Sequence, residues 1–244
     1  MYRYLWLTIL LLFMLFKPGM EAGNSTEHEQ KEMLEARLSD AVYLRDEIKK
    51  HVDEVEKVKV AYWAAYAENE FSPKHVEEKL EEKGVSKLEK ESWPTRGYLA
   101  GKHHDVEVTA AWWKGSKHSR RLSLSFEGEN LEEVKETARD ILYSKENVAK
   151  QDITVEVHGR MDGYTQEDLK IEAAGERSPV LSNDTLKVEK TSYRNGLNLL
   201  FYDPCLSHGG IRLKGNKANL NLVFHGDSKG KITRISLGTP FLAE

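Results

Sequence analysis

Apolar positions along the chain switch repeatedly between a helical and a strand period, and the switches divide it into two similar successions. Leu34, Leu38, Ala41, Ile48, Val52 and Val55 recur at mainly helical steps, with Arg45 interrupting the stripe. Thr26-x-x-Glu29 has the residue types of a capping box ahead of them. This pattern predicts a long helix packed on its own sheet rather than a coiled coil, because the heptads are few and one core position is charged. The period then falls to two. Val58, Val60, Tyr62, Ala64 and Tyr66 alternate and predict a strand ending by Glu68-Asn69. Ser72-Pro73 and Gly84 read as the start and stop of a short helix carrying Val76 and Leu80 inward. Three strands are predicted next, over 87–100, 105–114 and 120–127, with turns at Lys102-His103-His104 and Gly115-Ser116-Lys117-His118.

The second succession opens at Asn130, three residues before Glu133, with a helix that turns Leu131, Val134, Ala138, Ile141 and Leu142 inward. From Asp152 to Gly163, Ile153, Val155 and Val157 alternate with Thr154, Glu156 and His158, as in a strand with one buried face. Thr165-x-x-Asp168 reads as a helix start, although Leu169, Ile171 and Ala173 also alternate as a strand would. A turn at Asn183-Asp184 precedes three more strands, over 185–202 (bent at Asn195-Gly196), 218–225 and 231–237. Each half is thus helix, strand, helix and a three-strand meander, the mark of a duplication. The expectation is an α+β fold with repeats over 23–128 and 129–244. They would share one curved, mostly antiparallel sheet with helices on one side.

Ahead of the repeats, the run from Tyr4 to Phe16 is apolar apart from Thr8 and is too short to span a bilayer as a helix. Arg3 precedes it, Lys17-Pro18-Gly19 breaks it, and Ala22 offers a small residue before a cut. Residues 1–22 therefore read as a secretory signal or an uncleaved anchor, which places the protein outside the cytoplasmic membrane. No Cys lies near Ala22, unlike a lipoprotein signal. The 244-residue chain carries a formal net charge of −4 and stays acidic when Arg3, Lys17 and Glu21 are set aside. That balance argues against a nucleic-acid partner, whose phosphates require clustered Lys and Arg. Cys205 is the chain's 1 cysteine, so no intrachain disulfide forms and stability must come from burial.

The signal-like start, the strand end His158-Gly159-Arg160-Met161-Asp162 and the terminal Ile235-Ser236-Leu237-Gly238-Thr239-Pro240 resemble the YwmB family of Gram-positive spore-forming bacteria. The resemblance spans most of the chain beyond the signal. It implies a fold like the TATA-box-binding protein, two α/β repeats in one continuous sheet, and an extracytoplasmic protein without assigned catalytic residues. Such a likeness carries no DNA binding with it. The family's distribution suggests a link to wall or sporulation processes.

Catalytic chemistry has little to stand on. His103-His104-Asp105, His158 with Asp162, and His225-Gly226-Asp227 lack the His-Glu-x-x-His spacing or Cys pair of a zinc site. Cys205 precedes His208 by three residues, but Asp203-Pro204 and His208-Gly209-Gly210 read as an exposed loop. Gly209-Gly210 and Gly226-x-x-x-Gly230 lack the order of a phosphate loop. No cofactor and no metal are expected.

The strand phases point elsewhere. If Trp112 is core, Trp113 faces the other way, and Trp63 likewise opposes Tyr62. The open sheet face would then carry Trp63 and Trp113 as anchors, with Arg121, His158, Arg160, Asn221 and His225 as polar contacts and Ser123, Thr154, Glu156 and Asn219 beside them. Such a face suits a protein, peptide or glycan of the cell envelope; a plain solvated or self-associating face is the alternative. The expected function is a non-enzymatic envelope binding module that meets the membrane only through its amino-terminal segment. An envelope hydrolase or metal-dependent enzyme using the histidines is the other reading.

Overall fold

The computed structural model describes residues 27–93, 95–115, 119–142, 150–161, 186–193, 196–213, 215–226 and 231–239. Helix α1 spans Glu27–Ile48 and is followed by strand β1, Glu54–Ala67. Helix α2, Pro73–Glu82, then leads into β2 (Ser86–Trp93), β3 (Arg96–His103), β4 (Val106–Lys114) and β5 (Ser119–Gly128). Helix α3, Leu131–Leu142, and β6, Lys150–Arg160, open the second half. Strands β7 (Leu186–Tyr193), β8 (Gly196–Tyr202), β9 (Ile211–Leu213), β10 (Asn216–Ala218), β11 (Leu220–Gly226) and β12 (Ile232–Gly238) complete it. The predicted helix at Thr165, the turn at Asn183-Asp184, Asp162 and residues 1–26 lie outside the described residues.

The local signals act as their chemistry requires. The Ser72 hydroxyl accepts from the His75 N–H at 3.4 Å and Pro73 takes the first helical turn of α2. Asn130 accepts from the Glu132 N–H at 3.0 Å while its amide donates to Glu133 at 2.9 Å, fixing the start of α3. In α1 the apolar stripe runs past the half-buried Arg45 because Leu44, wholly buried, fills the core one residue earlier.

Ten strands form one sheet in the order β2-β3-β4-β5-β1-β6-β12-β11-β8-β7, and each neighbouring pair in it is antiparallel. Strands β1 and β6 meet at the middle, with Val58 opposite Val157, Val60 opposite Val155 and Tyr62 opposite Ile153. These residues join Val108, Ala110, Trp112, Leu124 and Phe126 on one side, and Leu199, Leu222, Phe224 and Leu237 on the other, in a single core on one sheet face. Leu34, Leu38 and Leu44 of α1, Val76 and Leu80 of α2, and Leu131, Val134 and Ile141 of α3 bury their side chains in that same core. Arg139 clamps α3 to α1 by two hydrogen bonds of 2.8 Å to Glu35. No described helix is long and apolar enough to cross a membrane.

Several expected boundaries are corrected. The single strand over 87–100 is a hairpin, β2 and β3, with Trp93 opposite Arg96. Strand β2 is a sheet edge whose Glu89, Lys90 and Glu91 are exposed, so it has no buried face to give an alternating signal. His103 ends β3 instead of starting a turn, its Nδ1 lying 3.2 Å from the Thr137 hydroxyl of α3; His104, at φ 54, makes the turn. The single bent strand over 185–202 is likewise two paired strands, β7 and β8. The strand over 218–225 is divided between β10 and β11, and β9 pairs with β10 in a small separate sheet.

Candidate functional site

The face of the sheet turned away from the core is set by the alternation along β1. Tyr62 is 8 % exposed and faces the helices, so Trp63 projects from the opposite face. The same holds for the adjacent tryptophans of β4: Trp112 is buried in the core and Trp113 is half-buried on the open face. The Trp63 and Trp113 rings meet edge to face across β5, with centroids 5.6 Å apart and planes at 71°.

Register shows what surrounds them. Across the sheet, Ala65 of β1 pairs with Arg121 of β5, Arg121 with Trp113 of β4, Trp113 with Arg96 of β3, and Arg96 with Trp93 of β2. An Arg-Trp-Arg-Trp row therefore crosses four strands. At its edge the Arg96 guanidinium lies 4.9 Å above the Trp93 ring, a cation–π contact. Trp93, at 45 %, is the exposed large apolar side chain of the described residues. Trp93 and Arg96 were not among the residues picked out from sequence, because only the β2–β3 register brings them beside Trp113.

The expected polar residues form a second group. On β1, Trp63 opposes Asp152, and six residues earlier Lys57 opposes His158, about 20 Å along the strands. His158 Nδ1 lies 2.8 Å from the Ser236 hydroxyl, which lies 3.3 Å from His225 Nε2, so the two histidines are linked across β6, β12 and β11. Glu156 stands 3.6 Å from His158 Nε2. Arg160 pairs with Arg234 in register, and Arg234 donates to Glu56 at 2.7 Å. Asn221 and Asn198, diagonal to it on β8, each hold a buried Oδ1 without a hydrogen-bond partner among the described residues. The seven expected contact residues thus share a face but fall into two groups: Trp63, Trp113 and Arg121 in one, His158, Arg160, Asn221 and His225 in the other.

Burial lowers the pKa of His225, and neighbouring Glu156 only partly opposes this while His158 and Arg234 reinforce it. Beside the second group, a charged rail runs from β1 to β5. Lys57 donates to Glu127 at 2.9 Å, which raises the Lys57 pKa. Burial pushes the Glu127 carboxyl up, but Lys57, Lys59 and His158 together pull it below its ordinary value.

The loop after β8, expected to be exposed, keeps Pro204, Cys205 and Gly209 at the surface but buries Asp203 and His208. Asp203 and His208 are 0 % and 1 % exposed. Asp203 accepts from the Tyr43 hydroxyl at 2.9 Å and from the Cys205 N–H at 2.8 Å. His208 Nδ1 accepts from the Gly210 N–H at 2.9 Å, which leaves Nε2 to donate to Asp152 at 3.2 Å. Both ring nitrogens are committed, and burial together with Asp203 raises the Cys205 thiol pKa. Asn219, expected on the open face, is buried in this same network, accepting from the Asp203 N–H at 2.7 Å. Asp40 of α1 receives the Ser207 N–H at 2.8 Å and anchors the loop to the helix layer. The group builds structure and leaves the thiol unactivated.

Among the described residues no group of three or more His, Cys, Asp or Glu side chains is placed to hold a metal ion. No family model matches the chain, and no curated protein or solved structure matches it.

Proposed function

We propose that the protein is a non-enzymatic binding module of the cell envelope, and that its open sheet face is the working surface. The observation that carries this reading is the pairing of Trp63 and Trp113 at 5.6 Å beside Arg121, on a face from which the core-forming residues point away. Aromatic anchors with a guanidinium among small residues are the composition of recognition surfaces.

The strand order supports a duplicated architecture like that of the TATA-box-binding protein. From the centre outward it reads β1-β5-β4-β3-β2 in one direction and β6-β12-β11-β8-β7 in the other. Each half starts with a helix and the central strand, and its last strand returns to pair beside that central strand. With the resemblance carried by His158-Gly159-Arg160-Met161 and Ile235-Ser236-Leu237-Gly238, this order supports membership of the YwmB family. The apolar run from Tyr4 to Phe16 supports export. Mass spectrometry of the native amino terminus distinguishes a cleaved signal from a retained anchor, and intact protein confined to cytosol overturns both.

The hydrolase reading draws on Glu156, His158, Ser236 and His225, which line up as carboxylate, imidazole, hydroxyl and imidazole. Yet Ser236 is 2 % exposed, and its strand is paired on both sides, so the backbone N–H groups an oxyanion would need serve the ladders. Labelling of Ser236 by a fluorophosphonate probe would restore that reading.

Cosedimentation with purified cell-wall sacculi tests the binding module. The double variant Trp63→Ala/Trp113→Ala, shown folded by circular dichroism, should remain in the supernatant while the parent protein pellets. Undiminished pelleting of the folded variant removes the open face from the function.

A further inference from the structure

We infer that the Trp93-Arg96-Trp113-Arg121 row binds an anionic glycan, whose sugar rings stack on the indoles and whose carboxylates meet the guanidiniums. The inference rests on the open face being the working surface and names what that surface recognises.

Three features of the face define the occupant. First, its floor is made of small residues: Ala61, Ala65, Ser123, Ser125, Thr109, Ala111 and Ala100 lie in paired rows on β1, β5, β4 and β3, and the bulk among them comes from Trp63, Trp113, Tyr98 and the two arginines Arg96 and Arg121. Flat rings fit such a floor, whereas side chains of a docking protein need pockets. Second, in those rows the charged residues of β1, β5, β4 and β3 are Arg96 and Arg121, both cationic and one strand removed from each other across Trp113, about 10 Å between strand axes. A guanidinium fork matches a carboxylate in geometry and charge, a match that a neutral sugar does not offer. Third, acids interrupt the surroundings of the patch: Glu89 and Glu91 on β2, Asp152 on β6, and Glu127 and Glu107 in the mixed row Lys59-Glu127-Glu107-Lys102. A long polyphosphate needs a continuous cationic track, which these acids interrupt. A chain of sugar rings carrying spaced carboxylates does not demand a continuous cationic track.

The matched probes are peptide-free glycan strands of alternating N-acetylglucosamine and N-acetylmuramic acid, and the neutral N-acetylglucosamine hexamer, which shares the backbone but lacks the lactyl carboxylate. Titration followed by tryptophan fluorescence and calorimetry should give the acidic strands an affinity about tenfold or more above the hexamer, the scale of a charge-assisted hydrogen bond. Arg96→Gln, at an exposed strand end, should erase the difference while circular dichroism shows the fold retained. Trp93→Ala should weaken both probes. Equal affinity for the two glycans, no binding of either, or tighter binding of an oligothymidylate overturns the inference. If sacculi are retained through Trp63 and Trp113 but the stripped strands are not, this assignment falls while the binding module stands; if neither is retained, both fall.

Discussion

Trp112 and Trp113 are neighbours in the chain and opposites in the fold. Trp112 is 4 % exposed and packs within 6.4 Å of the Phe71 ring in the core, whereas Trp113 leans on Trp63 on the face that the described helices do not cover. The core face presents buried Val, Leu, Ile, Phe and Tyr along its strands, with polar groups such as Gln151 and His103 toward the strand ends. The open face is small-residue floor, a pair of indole rings and paired charge. One sequence period produces both surfaces, and what divides them energetically is water. A side chain removed from the core leaves a cavity, while one removed from the open face leaves solvent.

The largest test of that contrast is Trp112→Ala. It should cost about 3–5 kcal/mol, as expected for emptying a fully packed aromatic site, and denaturant unfolding measures it. A loss similar to that of the Trp113 variant would mean that the two faces are not energetically distinct.

Gly97→Ala tests the same ring from the other side. Gly97 pairs with Trp112, and a Cβ there would stand 2.3 Å from the Trp112 ring. Overpacking at this position should cost about 1–3 kcal/mol. Full stability in a thermal melt would show that Trp112 has room to move.

The strand phases were legible because each central strand has one wholly buried face. Val58-Val60-Tyr62, Val106-Val108-Ala110 and Ile153-Val155-Val157 announce that face without help from the rest of the chain. Elements lacking a buried face were not legible. The edge strand β2, with exposed Glu89, Lys90 and Glu91, merged with β3 in the sequence reading, and with it went the Trp93–Arg96 pair. Register between strands is a tertiary fact, so the Arg-Trp row could not be assembled from periodicity. The loop at 203–210 failed for another reason. Its Asp, His and Ser residues look solvated locally, but their partners are Tyr43, Asp152 and Asp40, far away in sequence.

On the open face, a double-mutant cycle resolves how much the aromatic pair itself contributes. Trp63→Ala and Trp113→Ala should each cost about 1–2 kcal/mol, less than Trp112→Ala, with a coupling of about 0.5–1.5 kcal/mol for the edge-to-face contact. Strict additivity in urea unfolding would mean that the rings stand independently and that either could anchor a ligand alone.

The smallest effect belongs to the polar end of the same face and is a matter of pH. His225 titrates below the ordinary histidine value of 6.5 because burial disfavours its charge, with Glu156 opposing and His158 and Arg234 adding to the shift. The unfolded chain therefore binds this proton more readily than the folded one. Stability from His225 is full above the ordinary value and is lost as pH falls through it toward the folded pKa. Glu127, depressed by Lys57, Lys59 and His158 against its own burial, adds a second loss only at lower pH, in the carboxylate range. The two contributions separate by window: His225→Gln should flatten the upper part of the stability profile, which begins at the ordinary histidine value of 6.5 and runs below it, and leave the acid limb unchanged. Ser236 makes this a local test, since its hydroxyl links His225 to His158 and the glutamine amide can retain that contact. An unaltered upper slope in the His225→Gln variant would locate the proton uptake elsewhere on the sheet.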